Sequence, residues 1–332
     1  MQLNNLFLVL GLVTFTACNS CSNATKSDSN MQGAQAKSQT HDLPRFQPDS
    51  AYQYIAQQLE FGPRVPGSAA QQQTAEWLES ELIRHGASVR VQRTQAKAYD
   101  GSQLPVINLV GSFNPNARLR VLLMSHWDSR HVADHDIDPT KRNHPVPAAN
   151  DGASGVGILL EIARLAGEKM PPVGIDIFFT DAEDYGAPDD WKGTHDEKWW
   201  GMGTQLWCKQ VRNEGYHAEY AILLDMVGAP DATFYREYYS EVYAHAYVDQ
   251  VWNTAANLGY GKTFINQRGG GVTDDHTFVN QILGIPTLDI IDTRMDADGT
   301  FFPYWHTTED TLDKISTETL EKVGRVLVNL LW

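Results

Sequence analysis

Short apolar runs recur through the body of the chain, and each ends at polar or turn-forming residues. Such runs are typical of strands that are buried on both faces of a sheet. They predict strands near residues 89–92, 106–111, 119–125, 174–180, 221–226 and 287–291. Apolar positions at helical spacing predict helices over residues 68–86, 151–166, 203–212, 248–258, 276–283 and 316–331. The alternation predicts an α/β fold with a mixed, mostly parallel twisted sheet sandwiched by helices.

Five side chains that can bind a metal ion lie where apolar runs end. They are His126, Asp151, Asp184, Asp225 and His306. Ligands of open α/β sheets bind beyond the carboxyl ends of the strands, so this placement predicts an active site. A set of histidines and carboxylates favours zinc as the metal. Taken alone, His126 is typical of a buried core histidine and Asp151 of a helix cap, whereas a lone carboxylate after a buried strand, such as Asp225, is costly unless it is paired or metal-bound.

Glu183 immediately precedes Asp184, and adjacent side chains diverge on an extended backbone. One of the two can therefore bind metal while the other serves as a base. Asp128 follows His126 by two residues and is placed to orient its imidazole. Long loops in compact domains are usually functional, and we expect three of them to form the walls of a pocket. These loops span residues 129–150, 185–202 and 292–305.

The composition of the 332-residue chain fits a soluble enzyme, since 42% hydrophobic residues suffice for one large core. The net charge of −15 argues against a nucleic-acid partner, because phosphate binding requires a basic face. Cys208 is the single cysteine in the body of the chain. We therefore expect no internal disulfide there and a buried structural thiol.

The first residues resemble a bacterial lipoprotein leader. The apolar run Leu6–Ala17 is too short to span a bilayer and predicts a signal peptide over residues 1–17. Small residues precede Cys18, which would become the acylated first residue and anchor the protein to a bacterial membrane. Phe15 stands where Leu is usual, so an ordinary cleaved signal peptide is the alternative. Both interpretations place the protein in the cell envelope, outside the cytoplasm.

After Cys18 the chain is rich in Ser, Asn, Gln, Ala and Lys, with almost nothing to bury. Residues 18–41 are therefore predicted to be a disordered tether. Residues 42–332 carry the whole alternating pattern and are predicted to form a single catalytic zinc-dependent α/β domain.

Five short motifs occur along this domain, in the order Pro63-Arg64-Val65-Pro66-Gly67-Ser68, His126-Trp127-Asp128, Asn150-Asp151-Gly152-Ala153-Ser154-Gly155, Leu224-Asp225-Met226-Val227-Gly228 and His306-Thr307-Thr308-Glu309-Asp310-Thr311. Together they resemble the zinc aminopeptidase-like fold over residues 45–332. Within that fold, the chain is most similar to the glutaminyl-peptide cyclotransferases of animal type and their bacterial relatives. The resemblance implies an acyltransferase that acts on peptides or proteins with an N-terminal glutamine, converting it to pyroglutamate with release of ammonia.

The resemblance also implies a metal site. A single zinc ion would be held by Asp151, Asp184 and His306, although the animal enzymes use Glu at the position of Asp184. His126 and Asp225 would stay free of metal. They would bind a second zinc only in a dizinc aminopeptidase, which is the main alternative function. A non-catalytic, surface-anchored binding protein is a further alternative, and it would predict a missing ligand or base.

The roles of the remaining site residues follow from the same resemblance. Glu183 would move protons, while Asp225 and Asp274 would hydrogen-bond the substrate amine and Glu183. Three carboxylates so close together predict a raised pKa on one of them. Trp191 and Trp305 would pack against the glutamine side chain. The pair Asp274-Asp275, the Trp beside His306 and Trp191 favour the cyclase over a peptidase, and a monomer is the default expectation.

Overall fold

The structure is a computed structural model that describes residues 43–294 and 301–332. The predicted signal peptide (1–17), Cys18 and the predicted tether (18–41) lie outside the described residues, so these assignments stay predictions. Within the described ranges, no helix has both the length and the apolar character that crossing a membrane requires.

A six-stranded mixed sheet forms the centre of the described domain. The described residues contain eight strands, of which β6 and β7 form a separate two-stranded sheet: β1 (Ser88–Lys97), β2 (Gln103–Phe113), β3 (Arg120–His126), β4 (Gly174–Thr180), β5 (Tyr220–Asp225), β6 (Phe234–Arg236), β7 (Phe264–Arg268) and β8 (Thr287–Ile291). Their order in the large sheet is β1-β2-β4-β3-β5-β8. β4, β3, β5 and β8 pair in parallel, whereas β1 and β2 are antiparallel to their neighbours. The predicted fold class is confirmed.

Helices cover both faces of this sheet. They are α1 (Pro48–Glu60), α2 (Ala69–Arg84), α3 (Ala153–Glu168), α4 (Met202–Glu214), α5 (Tyr238–Asn257), α6 (Asp275–Leu283) and α7 (Thr317–Leu331). The larger apolar core lies between the sheet and helices α1, α2, α3, α5 and α7. Helices α4 and α6 pack on the opposite face around Trp207 and Val279, and Cys208 is a buried free thiol there, as predicted.

The residues of β3 show why the apolar runs are continuous. Val121 and Leu123 pack into the larger core, while Leu122 and Met124 pack into the smaller one. Successive side chains of a strand point to opposite faces, so a strand covered by helices on both sides favours apolar residues at consecutive positions. Between Arg120 and Ser125, β3 therefore carries only apolar side chains, and polar groups follow at its end.

Helices α1 and α5 and strands β6 and β7 differ most from the sequence prediction. Helix α1 was not predicted, because only Ala51, Ile55 and Gln58 are buried along its 13 residues. Helix α5 begins ten residues before the predicted residue 248, with a kink at Ala244 that interrupts the helical period. The short parallel pair β6–β7 was also missed.

Candidate metal and catalytic site

The carboxyl ends of β3, β4 and β5 lie side by side and carry most of the predicted site residues. β3 ends at His126 and β5 ends at Asp225. β4 ends at Thr180, directly opposite His126, and the turn that follows carries Glu183 and Asp184. Parallel pairing thus brings together residues that are up to about a hundred positions apart in the chain.

Four residues beside the site have left-handed backbone conformations without being glycine. Their φ angles are 62° at Ala148, 54° at Ala182, 49° at Met226 and 54° at His306. Each such conformation costs on the order of 1–3 kcal/mol and persists only where the surrounding structure imposes it. The turns after β4 and β5 and the loop that carries His306 are therefore held in strained shapes, as is common at functional sites.

Two glycines bring Asp151 to the same edge. A Cβ atom on Gly152 would lie 2.4 Å from the carbonyl oxygen of His126, and one on Gly155 would lie 2.3 Å from Ser125 Oγ. The start of α3 can approach β3 only because these side chains are missing. Gly152 is the N-cap of α3 and no side chain caps the helix, so Asp151 does not cap it; α3 begins at Ala153 rather than at residue 151 as predicted.

Asp151, Asp184 and His306 form one group that could hold a metal ion, with one ligand atom of each within 4.8 Å of the others. His306 Nε2 lies 3.1 Å from Asp184 Oδ1 and 3.6 Å from Asp151 Oδ2. All three side chains are buried, and Asp151 Oδ2 and Asp184 Oδ2 have no hydrogen-bond partner among the described residues. Buried carboxylate oxygens without a partner are costly unless a cation binds them, and two carboxylates with one imidazole suit zinc.

His126, Asp151 and Asp225 form a second such group, and Asp151 belongs to both. His126 Nε2 lies 3.0 Å from Asp151 Oδ1 and 3.3 Å from Asp225 Oδ1. Burial opposes the charged imidazole, but the hydrogen bonds with Asp128, Asp151 and Asp225 raise the pKa of His126 well above its ordinary value. All five predicted ligand-type side chains therefore meet in one cluster with two adjacent positions for a cation.

Two buried carboxylates hold the loops that carry the ligands. Asp128 accepts hydrogen bonds from the backbone N–H groups of residues 183–184, at 3.1 and 3.2 Å. Asp310 accepts them from the N–H groups of residues 150–151, at 2.8 and 3.1 Å. Asp128 Oδ1 also lies 3.4 Å from His126 Nδ1, beside the imidazole that it was predicted to orient. These contacts fix the main chain at the ligands before any metal is bound.

Arg64 ties the loop before Asp151 to the end of β3. Its guanidinium is fully buried and donates to the carbonyl oxygens of Trp127, Pro147 and Ala148, at 3.1, 2.6 and 2.7 Å. Burial lowers the pKa of Arg64 to about 10, which still leaves it charged at neutral pH. The Pro63–Ser68 motif thus has a structural role behind the site.

A second buried arginine lies behind the ligands Asp184 and His306. Arg130 Nη1 is 3.3 Å from Asp184 Oδ1, and Arg130 Nη2 is 2.6 Å from Asp134 Oδ2. Asp134 Oδ1 in turn lies 3.6 Å from His306 Nδ1. The pair Arg130–Asp134 therefore neutralises itself while it contacts two predicted ligands from the side away from the metal position, which is how outer groups orient ligands.

The carboxylates predicted for catalysis have raised pKa values without a bound cation. Burial and the charge of Asp274 raise the pKa of Glu183 well above its ordinary range. Burial raises the pKa of Asp225 to about 7 and also raises that of Asp274. A raised pKa was expected on one of the three carboxyl groups and is found on all of them. Glu183 belongs to neither metal-competent group, so it is free to carry a proton.

A cavity of about 290 Å³ opens onto this cluster. The lining includes Glu183, Asp225 and Asp274 beside the first metal-competent group. Aromatic rings form its walls: Trp305 stacks on His306 with ring centroids 3.8 Å apart, and Trp200 is parallel to that imidazole at 6.3 Å. Its volume suits a ligand the size of one amino-acid residue rather than a long peptide.

The predicted tryptophans occupy different places. Trp305 lines the cavity, as a substrate-packing residue must, but Trp191 is not among the lining residues. Trp191 packs edge-on against Tyr99, with centroids 4.9 Å apart, and Trp200 from the same predicted loop lines the cavity instead. The structure therefore gives Trp200 the position that sequence reasoning assigned to Trp191.

The chain resembles known proteins over most of its length. Residues 108–331 match the model of Peptidase family M28. The chain belongs to peptidase family M28. Among solved structures, the glutaminyl cyclase of Tannerella forsythia is 50% identical to this M28 protein. The two structures align with a TM-score of 0.84, and the alignment covers 87% of this chain and 99% of the other. A Zn-dependent exopeptidase from Parabacteroides distasonis is 48% identical, with a TM-score of 0.84 over 87% and 98% of the two chains.

The glutaminyl-peptide cyclotransferase-like protein of Bos taurus is 25% identical to this M28 protein over 286 residues, which are 80% of this chain and 70% of the bovine one. The predicted resemblance to glutaminyl cyclases is thus confirmed, and the M28 protein is an enzyme. The cyclase relatives favour that function over the aminopeptidase alternative. The family and its Zn-dependent members imply zinc.

Several site residues were not found by sequence reasoning. Trp200 and Phe301 line the cavity from the predicted loops, and Arg130 and Asp134 lie behind the ligands. Nothing in a single sequence distinguishes Trp200 from Trp199 or Trp191. Arg130 follows His126 by four residues and precedes Asp134 by four, and this spacing is only a weak indication of an ion pair beside the site.

Proposed function

We propose that this M28 enzyme cyclises the N-terminal glutamine of peptides and proteins to pyroglutamate and releases ammonia, an aminoacyl-type acyl transfer. The observation that carries the proposal is the cavity of about 290 Å³, which joins a metal-competent group to a free, proton-carrying carboxyl, Glu183. The glutaminyl cyclase names of the relatives support the same reaction.

We further propose one zinc ion per chain, held by Asp151, Asp184 and His306. The two carboxylate oxygens without partners and the imidazole Nε2 offer three ligands, and this leaves a position for water or substrate. When bound there, zinc supplies a Lewis acid that polarises a carbonyl oxygen and stabilises negative charge on it. His126 and Asp225 then remain metal-free, and His126 Nε2 donates toward the carboxylates beside it.

The substrate brings both reacting groups, so the chain has to orient them and to move a proton. The α-amine nitrogen attacks the carbonyl carbon (Cδ) of the glutamine side chain, the new C–N bond forms, and the bond from that carbon to the carboxamide nitrogen breaks. Glu183 takes a proton from the amine and delivers it to the departing nitrogen, which leaves as ammonia. A raised pKa suits this shuttle, because the carboxyl must both accept and return the proton.

Asp225 and Asp274 line the cavity together with Glu183 and accept hydrogen bonds from the substrate amine. Trp305 and Trp200 confine the glutamine side chain between flat apolar walls and exclude water from it. Trp191 would reach the substrate only if its loop moved away from Tyr99.

The test uses residues 42–332, purified and incubated with a glutamine-initiated peptide, with mass spectrometry and an ammonia assay as readouts. Loss of one ammonia with the peptide bonds intact, inhibited by a zinc chelator, is the expected result. Release of free glutamine with a shortened peptide would instead establish an aminopeptidase, and His126 and Asp225 would then hold a second zinc.

We propose a cell-envelope location for the enzyme on the basis of its leader. Cys18 would be acylated after removal of residues 1–17, and residues 18–41 would tether a monomeric catalytic domain to a bacterial membrane. Labelling with a radioactive fatty acid in a bacterial host should mark the wild-type protein but not Cys18→Ser. Label on both proteins, or on neither, would contradict the anchor.

A further inference from the structure

A glycine-rich segment leads from the protein surface into the catalytic cavity. It follows β7 and comprises residues 269–273, none of which lies in a helix or a strand. Gly270 is exposed, and a Cβ atom there would meet nothing within 4 Å. Gly271 and Val272 line the cavity, and Asp274 follows at its floor. The segment is therefore a strip of main chain that connects solvent with the reacting position.

Contacts from the start of α5 hold this strip in place. Gly270 accepts a hydrogen bond from the backbone N–H of Tyr238 at 2.9 Å, and the N–H of Val272 donates to Glu237 Oε1 at 3.0 Å. Glu237 is buried and also accepts from His276 Nε2 at 3.1 Å. Among the described residues, no partner hydrogen-bonds the N–H or the carbonyl of Gly271. Gly271 thus presents an open donor and an open acceptor on a fixed support.

Exposed apolar side chains adjoin the same strip. A Cβ atom on Gly271 would lie 3.5 Å from Tyr238 Cβ and 3.1 Å from the ring of Tyr239. Tyr238 is 54% exposed, and Val242, one helical turn further along α5, is 56% exposed. Residues four apart lie on one face of a helix, so the two form a continuous apolar ledge beside Gly271.

We propose that Gly270, Gly271, Tyr238 and Val242 form an exit surface, which binds the residues that follow the N-terminal glutamine of the substrate. The inference rests on the proposed function. The cavity of about 290 Å³ holds one residue, so the rest of a peptide must leave past its rim. Peptide main chain pairs with open backbone groups, and adjacent apolar ledges select its side chains. The exit surface therefore favours substrates with an apolar second or third residue.

The experiment compares three amidated substrates: glutamine amide, Gln-Gly-Gly-amide and Gln-Leu-Phe-amide. The wild-type enzyme should show the highest kcat/KM for Gln-Leu-Phe-amide. Tyr238→Ala should lower that value roughly three- to tenfold, through KM, because part of one apolar contact is lost. Its kcat/KM for glutamine amide should stay unchanged. Ile83→Ala is the control, because Ile83 is 56% exposed but lies on α2, outside the cavity lining, and it should match the wild type.

A change in the substrate tests whether the unpaired backbone N–H and carbonyl groups of Gly271 bind the peptide. Methylating the amide nitrogen of the third residue should lower kcat/KM of the wild type roughly three- to tenfold, the size expected for one lost hydrogen bond. Equal kcat/KM for all three amides, or a Tyr238→Ala loss that is as large on glutamine amide, would overturn the exit surface. Failure of the wild type to cyclise any of the three amides would instead refute the proposed function, and the exit surface would fall with it.

Discussion

The contribution of His85 to the stability of the domain should fall between pH 7 and pH 5, because His85 is buried as a neutral imidazole. His85 Nε2 lies 3.0 Å from the hydroxyl oxygen of Tyr54 and 3.2 Å from Arg84 Nη2, and its side chain is 5% exposed. Burial, followed by the neighbouring positive charge of Arg84, lowers the pKa of His85 from 6.5 to about 4. His85 is the C-cap of α2 and belongs to none of the metal-competent groups among the described residues, so metal binding does not enter the effect.

The direction of this change in stability with pH depends on whether the folded or the unfolded state protonates His85 at the higher pH. The unfolded chain protonates His85 at a higher pH than the folded protein does, so acid favours unfolding and stability is lost as the pH falls from 6.5 towards 4. At about 1.4 kcal/mol per pKa unit, the whole shift is worth about 3 kcal/mol. More than half of it, about 2 kcal/mol, is lost between pH 7 and pH 5.

Urea unfolding of the zinc-loaded wild type and of His85→Gln, at both pH values, measures this share. Glutamine keeps a polar group beside Tyr54 but cannot take up the proton. The wild type should lose about 2 kcal/mol more than His85→Gln over the interval. His217→Gln, which changes an exposed histidine, should follow the wild type. The same pH dependence in the wild type and in His85→Gln would refute a neutral, buried imidazole.

The site and its packing give further expectations. Glu183→Gln should lower kcat roughly 10²–10⁴-fold, the usual worth of a positioned proton carrier, with zinc content by elemental analysis unchanged; loss of zinc would contradict the role of Glu183. His126→Ala should leave one zinc ion per chain, and a fall from two to one would reveal a dizinc enzyme. Zinc at a free concentration about one hundred times its Kd should stabilise the domain by about 2.7 kcal/mol, and a chelator that removes the zinc should abolish this gain. An unchanged melting temperature after chelation would argue against a metal site. Gly155→Ala should lower the free energy of unfolding in urea by about 1–3 kcal/mol, because its Cβ would overlap Ser125. A Cβ at Gly261 would meet nothing within 4 Å, so Gly261→Ala should match the wild type. Equal stabilities of the two variants would show that α3 can shift.

Much of the sheet could be predicted because its strands are covered on both faces. β4 and β8 have the boundaries expected from their apolar runs, since Gly174 and Thr287 start them and polar or turn residues end them. Helix α1 could not be predicted, because amphipathic periodicity needs more than its three buried positions. The first half of α5 was missed for a different reason: the kink at Ala244 breaks the spacing that a regular helix would show.

The metal-competent residues could be located because parallel strands end at one edge, which converts sequence position into spatial proximity. The aromatic residues that form the walls of the cavity could not be located from the sequence. Trp191 and Trp200 lie in the same loop, and only the folded course of that loop decides which ring lines the cavity. The contacts by which Asp128 and Asp310 hold the ligand loops could not be predicted either, because each acts on the backbone of another loop; for Asp128 only the position beside His126 was expected.

The two carboxylates that hold the ligand loops also have a consequence for hydrogen exchange. The N–H groups of residues 150, 151, 183 and 184 lie outside helices and strands, yet each donates to a buried carboxylate. These four amides should exchange with deuterium far more slowly than other loop amides, even in zinc-free protein, because exchange requires their hydrogen bonds to Asp128 and Asp310 to break. A ligand frame that is already rigid loses little conformational entropy when it binds its metal, so more of the binding free energy is retained as affinity.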